Sequence, residues 1–368
     1  MNSDFFSNLV DFAEAALVAD YSRLRRVGQL LSREIESIDL EAARRFRSAI
    51  NRKGLPLQAS GSPEMLPIDN KSRLPLVEEH AWPTTPVFLS FEGQDLFQSF
   101  LADVSNFELL ASKGVASKLS LLLSGPPGTG KTLLAGHVAA QLGRRLYVVR
   151  LDSVISSMLG DTAKNIRSIF DFVAGKDAVL FLDELDAVAK MRDDRNELGE
   201  LKRVVNTVIQ GIDSLDERAV VIAATNHPQM LDAAIWRRFS YKLELHNPNS
   251  DLRSALWANF LNEDESSPRV CFLTQISENL TGADIEHYAF SARRRAIISD
   301  QEIDYIRLAG LLLSRVEGYD ILQEKSSDAR RRLAQILVKN RGIGQSDVAR
   351  FLGVSRQAVS SYVKSADA

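Results

Sequence analysis

Cysteine is almost absent: Cys271 stands alone among 368 residues. A lone thiol excludes an internal disulfide framework, and no Cys/His group has the spacing of a zinc site. Long apolar runs are missing too, since none approaches the ~18–20 residues of a membrane helix. Asp4, Asp11 and Glu14 sit where a secretory leader would carry positive charge before an apolar stretch. The expected compartment is therefore the reducing cytoplasm, with no membrane contact. Strong overall charge is lacking as well, the net being −3. What is present is 45% hydrophobic and 25% charged residues, the balance of an ordinary folded protein, which excludes global disorder. At roughly 100–200 residues per domain, the length implies two or three units. The charge is unevenly placed. Lys325, Arg330, Arg331, Arg332, Lys339, Arg341, Arg350, Arg356 and Lys364 are opposed only by Asp328, Asp347 and Asp367, so the tail is +6 and residues 1–324 are −9. An acidic body with a basic tail implies a locally confined anionic partner.

Apolar spacings of three and four predict helices over Phe5–Ala19, Tyr21–Ile35 and Leu40–Ile50, with Asp39 capping the third. Six of the eleven prolines (Pro56, Pro63, Pro67, Pro75, Pro83, Pro86) then follow in one stretch. Proline lacks a donor and locks its backbone, so this stretch reads as linker. From Lys118 short apolar runs alternate with helical segments. Leu119–Leu123, Leu146–Leu151, Ala178–Leu182, Ala219–Ala224 and Tyr241–Leu245 are expected strands. Their near-continuous apolar character suits parallel strands covered on both faces. Helices are expected at Lys131–Leu142, Thr162–Ala174, Glu197–Ile212 and near Met230–Trp236. The alternation predicts an α/β sheet with right-handed crossovers. Beyond Pro248 only helices are expected, at Asp251–Leu261, Ala283–Ile298 and Glu302–Val316. The division is a helical N-terminal domain (1–54), the Pro-rich linker (55–87), the α/β domain (88–248), a helical subdomain (249–324) and the basic tail (325–368).

Gly125-Pro126-Pro127-Gly128-Thr129-Gly130-Lys131-Thr132 satisfies the phosphate-loop pattern, with a strand before it and a helix after it. Glycines let consecutive N–H groups turn toward phosphate oxygens, and the helix N-terminus adds positive potential. Lys131 can reach the β- and γ-phosphates, and Thr132 can hold Mg²⁺. ATP and Mg²⁺ are the expected ligands. Ala178–Leu182 ends in Asp183 and Glu184, two carboxylates at the carboxyl end of a parallel strand, where such sheets bind ligands. Asp183 is assigned to the Mg²⁺ shell and Glu184 to the attacking water. The strand Ala219–Ala224 ends in Thr225-Asn226, an uncharged polar end suited to orienting that water. Arg237 and Arg238 follow a short helix, and guanidinium can contact a neighbouring subunit's phosphate bidentately.

The ordered segments GPPGTGKT, LFLDELDAV, AATNHP, AIWRRF and TGADIEHY resemble the AAA clade of AAA+ ATPases, over roughly Phe88 to Val316. The resemblance implies a five-stranded parallel sheet of order 5-1-4-3-2, a helical lid in the 249–324 segment and a homo-hexameric ring. It implies that Asn226 is the first sensor residue, that Arg237 and Arg238 complete the neighbour's site, and that Gly282, Ala283 and Asp284 meet the adenine end. It also places Met158, Leu159 and Gly160 in a substrate-gripping pore loop, with Met158 where an aromatic residue is usual. Methionine is apolar and adaptable enough to grip an extended chain, although a ring that threads nothing is the other reading.

Gln345–Tyr362 resembles a bacterial helix-turn-helix. Ala349 is small at the crossing, Gly353 supplies the turn, Val354 and Val359 fill the core and Ser355 caps the second helix. Ser355, Arg356, Gln357, Ser360, Ser361 and Lys364 would then face DNA; a cap packed on the lid is the competing reading. Taken together these features imply an ATP-hydrolysing ring that remodels a protein partner and binds DNA through its tail. The alternatives are a nucleotide-switched transcriptional regulator or a DNA-remodelling or loading ATPase. Compact bacterial AAA proteins add a weak implication of a protease partner for the N-terminal helices.

Overall fold

The computed structural model describes residues 5, 7–12, 21–36, 39–50, 66–69, 71, 73–156, 162–190, 198–317 and 326–364. These fall into two compact units, Met1–Met65 and Leu66–Ala368. In the first, helices Tyr21–Glu36 and Leu40–Ile50 bury Val27, Leu31 and Ala43. Asp39 caps the second helix, its Oδ1 accepting from the amides of Glu41 and Ala42 at 2.8 and 3.1 Å. Asn8 Nδ2 donates to Glu34 Oε1 at 2.9 Å, and the Phe12 and Phe46 rings lie 5.5 Å apart.

The second unit is built on one sheet of strands β1 (Glu78–His80), β2 (Ser120–Ser124), β3 (Arg145–Arg150), β4 (Ala178–Asp183), β5 (Val220–Thr225) and β6 (Tyr241–Glu244), in the order β1-β3-β4-β5-β2-β6. Strands β2 to β6 are parallel and keep the 5-1-4-3-2 order. An antiparallel sixth strand, β1, pairs Glu78 with Val148 and His80 with Leu146. This corrects the linker reading of 55–87. Three residues free of proline suffice for an edge strand, and its exposed Glu-Glu-His face discourages further pairing.

The pleat sends alternate residues to opposite faces. Leu122, Tyr147, Val149, Leu180, Leu182, Val221 and Ala223 point to one face, covered by Ile166, Ile169 and Phe170 and by Val204, Val208 and Ile212. Leu121, Leu123, Val148, Val179, Phe181, Ile222 and Ala224 point to the other. That face is covered by Leu134, Ala135 and Val138 and by Phe97, Phe100, Leu101 and Val104. The last four belong to helix Phe91–Ser105, which the sequence reading did not anticipate although Ser90 caps it through Gly93 N. Helices Phe107–Ser112 and Pro268–Ile276 were also unanticipated.

Helices Ser250–Leu261, Pro268–Ile276, Gly282–Ser299 and Tyr305–Glu317 follow the sheet. The basic tail then forms Ser326–Gln335, a π turn over Ile336–Asn340, Gln345–Leu352 and Arg356–Lys364. It is not separate from the subdomain before it. Trp257, Leu273, Ile285 and Leu313 share one buried cluster with Leu333, Leu337, Val348, Leu352 and Val359. The Phe272 and Phe351 rings stack across the seam at 3.8 Å, 15° from parallel. The expected boundary at 324/325 therefore crosses a continuous core, because the tail's apolar positions need the helical subdomain to cover them. No helix among the described residues is long and apolar enough to cross a membrane.

Candidate functional site

The phosphate loop leaves the end of β2, where Leu245 N donates to Ser124 O at 2.7 Å and Gly125 N to Thr225 O at 3.3 Å. Gly125 has φ 139°, and a Cβ there would lie 2.0 Å from Leu245 O, so no other residue fits. Gly128, at φ 78°, likewise leaves no room for a Cβ beside Thr281 Oγ1. Gly130 caps helix Lys131–Leu142 without a side-chain hydrogen bond. The first-turn amides of that helix thus keep their donors for an anion.

Lys131 is buried, and its Nζ donates to Gly125 O and Pro126 O, both at 2.8 Å. Burial draws its ammonium below the ordinary lysine range, opposed by the charges of Asp183 and Asp186. Thr132 Oγ1 donates to Asp183 Oδ2 at 3.4 Å, bringing the two residues assigned to Mg²⁺ together across the loop. Asp183 Oδ1 accepts from Glu184 N at 2.9 Å. Glu184 turns the chain with φ 54°, the left-handed region that side chains other than glycine seldom occupy. The turn is held by Leu185 N donating to Ala224 O at 2.8 Å.

Lys131, Thr132, Asp183, Glu184 and Asn226 line one end of a 420 Å³ cleft, within the usual size of a small-molecule site. The buried Oδ1 of Asn226 makes no hydrogen bond among the described residues. The rest of the lining is mainly apolar, with Pro86, Val87, Phe88, Leu252, Leu256 and Phe260, joined by His246, Gly282, Ala283 and Glu286. Ala283 N donates to Gly128 O at 3.1 Å, joining the helical subdomain to the loop. Thr281 and Asp284 form a reciprocal capping box that fixes this helix start.

Two further groups lie elsewhere. Arg237 is exposed after the short helix Ala233–Trp236. Arg238 grips Asp213, Nε donating at 3.1 Å and Nη2 at 3.0 Å, which holds that carboxyl below its usual range. Neither arginine lines the cleft of its own chain. Arg356, Gln357, Ser361 and Lys364 are exposed on the last helix, Ser360 is half-buried, and Ser355 Oγ accepts from Ala358 N at 3.2 Å. Met158, Leu159 and Gly160 lie outside the described residues.

The sequence reading missed the apolar wall. Pro86–Phe88 precede the phosphate loop by some forty positions and Leu256 and Phe260 follow it by over a hundred, with no pattern linking them. It gave Asp186 no part in the site, reading Glu184-Leu185-Asp186 at most as a helix cap; the signal was a third acid beside Asp183 and Glu184.

The chain matches the model of the ATPase family associated with various cellular activities (AAA) over residues 121–247. It is similar to the AAA family ATPase y4kL of Sinorhizobium fredii, 38% identical over 225 residues that cover 60% of this chain and 64% of that protein. It is 33% identical over 230 residues to proteasome-activating nucleotidase 1 of Haloferax volcanii, covering 60% and 55%. Similarity to 26S proteasome regulatory subunit 6A of Schizosaccharomyces pombe is 34% over 201 residues, covering 52% and 46%. The chain thus spans about half to just under two thirds of the length of these relatives. A phosphate loop, a carboxylate pair and a polar strand end meeting at one cleft agree with the matched span: residues 121–247 are similar to an AAA-family ATPase domain.

Proposed function

We propose that this chain is a Mg²⁺-dependent ATP hydrolase that works as a ring and remodels a protein partner. The observation that carries the reading is the convergence of Lys131, Thr132, Asp183, Glu184 and Asn226 at the polar end of a cleft whose other end is apolar. The residues present fit both ligands. Uncapped first-turn amides and a buried ammonium hydrogen-bonded to loop carbonyls suit a triphosphate, while the apolar end suits a purine. Thr132 and Asp183 would hold Mg²⁺, which when bound neutralises phosphate charge.

In the hydrolytic step Lys131 exchanges its loop carbonyls for phosphate oxygens. The Glu184 carboxylate accepts a proton from the attacking water, and the Asn226 amide orients that water. Arg237 is the stronger candidate to reach a neighbour's phosphates, because the Arg238 guanidinium is engaged with Asp213. Protein remodelling is drawn from the relatives' names, which also keep a protease partner in view. The exposed Arg356, Gln357, Ser361 and Lys364 support duplex DNA as the tail's partner, with Ser355 and Ser360 nearby; a purely structural cap is the other outcome of the test.

Lys131→Ala is expected to abolish nucleotide binding. Glu184→Gln should bind ATP and lose turnover, so that crosslinking to it traps the protein partner. A wild-type protein that binds ATP but hydrolyses none at any concentration would refute the enzymatic reading in favour of a nucleotide switch.

A further inference from the structure

We propose that Asp186 is a positioning residue for hydrolysis, setting Glu184 and Asn226 relative to each other and touching no part of the nucleotide itself. The assignment rests on the ATPase reading above. Asp186 is 1% exposed, yet it is a carboxylate. Its Oδ1 accepts from Thr225 Oγ1 at 3.0 Å and from the backbone N–H of Asn226 at 3.1 Å. Thr225 Oγ1, itself buried, accepts in turn from His227 N at 3.0 Å. One carboxylate oxygen thus anchors the last residues of β5 as the chain leaves the sheet.

The same residue stands two positions after Glu184, whose left-handed turn would relax if nothing opposed it. Leu185 N bonding Ala224 O closes the other side of this seam. The exits of β4 and β5 are therefore sewn together, and Glu184 and Asn226, one from each exit, both line the cleft. Asp186 is absent from the cleft lining, so it acts through these two residues. Burial strengthens these hydrogen bonds. A carboxylate retained in this place sharpens the geometry of a water and its base, where a displacement of about 1 Å is worth on the order of 10²-fold in rate.

The test compares full-length wild type with Asp186→Ala, Asp186→Asn and Thr225→Val by steady-state ATPase, nucleotide affinity and thermal melting. Asp186→Ala is expected to lower kcat about 10²-fold with a far smaller change in the Kd for Mg-ATP, since only its charge reaches Lys131. Asp186→Asn, which keeps an acceptor oxygen, should recover part of the loss. Thr225→Val removes one donor at nearly constant shape and should lower kcat in the same direction. In the double variant with Asp186→Ala, the two losses should fail to multiply, because both break one network. Should Asp186→Ala not fold, Thr225→Val carries the test alone. Parallel loss of affinity and kcat, or wild-type kcat in folded Thr225→Val, overturns the assignment. A wild type that binds ATP without turning it over overturns the ATPase reading and this assignment with it; an active wild type with unaffected variants overturns this assignment alone.

Discussion

Phe351→Ala probes the seam between the helical subdomain and the basic tail. Phe351 is 8% exposed and stacks at 3.8 Å on Phe272, which is 3% exposed. Removing a buried phenyl ring leaves a cavity and costs about 3–5 kcal/mol. That is a large share of the ~5–15 kcal/mol that holds a typical folded protein together. The loss should be felt at the nucleotide, since Leu256 and Phe260 belong to the same buried cluster and also line the cleft. Trp257, fully buried with its Nε1 donating to Ser277 Oγ at 2.9 Å, reports on this cluster by fluorescence. The expected outcome is a lower urea midpoint, faster hydrogen exchange in Ser250–Leu261 and Pro268–Ile276, and a raised KM for ATP. Arg356→Ala, on the exposed face, should change stability by no more than about 0.5 kcal/mol. Unchanged exchange and midpoint in Phe351→Ala would refute the shared core. The same reasoning bears on truncation: deleting 325–368 strips Leu333, Leu337, Val348, Leu352 and Val359 from the cluster. DNA binding is therefore better tested by substituting exposed residues than by removing the tail.

Gly136→Ala should weaken ATP binding about tenfold, measured by titration. The added Cβ would lie 2.7 Å from Pro83 Cδ, and overpacking costs about 1–3 kcal/mol. Pro83 belongs to the segment leading to Phe88, which is fastened by Trp82 Nε1 donating to Arg144 O at 2.9 Å and by His137 Nε2 lying 2.8 Å from Thr85 O. Arg237→Ala should lower ATPase by about 10³-fold or more without lowering the melting temperature, and mixing it with Lys131→Ala should restore some turnover. A dilute monomer of full activity would count against a shared site. Above pH 10 stability should fall until about pH 12. Burial and hydrogen bonds to Asp103 and Glu263 push the phenols of Tyr241 and Tyr305 up to about 12, so the folded state retains protons that the unfolded chain releases. Melting curves across this range check the sign. If the tail binds duplex DNA, log affinity should fall against log salt with a slope of about −0.9 per phosphate contact; the absence of binding at low salt leaves the structural cap.

The polar half of the cleft was legible in the chain because each of its parts lies at the end of an apolar strand. Gly125–Thr132 follows β2, Asp183 and Glu184 end β4, and Asn226 follows β5. Parallel strands bring their carboxyl ends to one edge, so the order of motifs already implied a single site. Central strands were readable to within a residue, because burial on both faces leaves continuous apolar runs. Boundaries shifted where a run continued into the next element: Leu151 reads as strand but opens helix Leu151–Ser156. The edge strand Glu78–His80 carries no apolar signal and exists only because β3 offers it partners.

What the sequence by itself determined was the chemistry of the phosphate end, since glycine at φ > 0 and acids at strand ends are local requirements. Tertiary structure alone decided the rest. It made Asp186 the anchor of Asn226 and tied Arg238 to Asp213, leaving Arg237 exposed. It also merged the basic tail with the helical subdomain through Phe351 and Phe272. A helix's apolar stripe states that it must be covered; which surface covers it depends on packing between segments far apart in the chain.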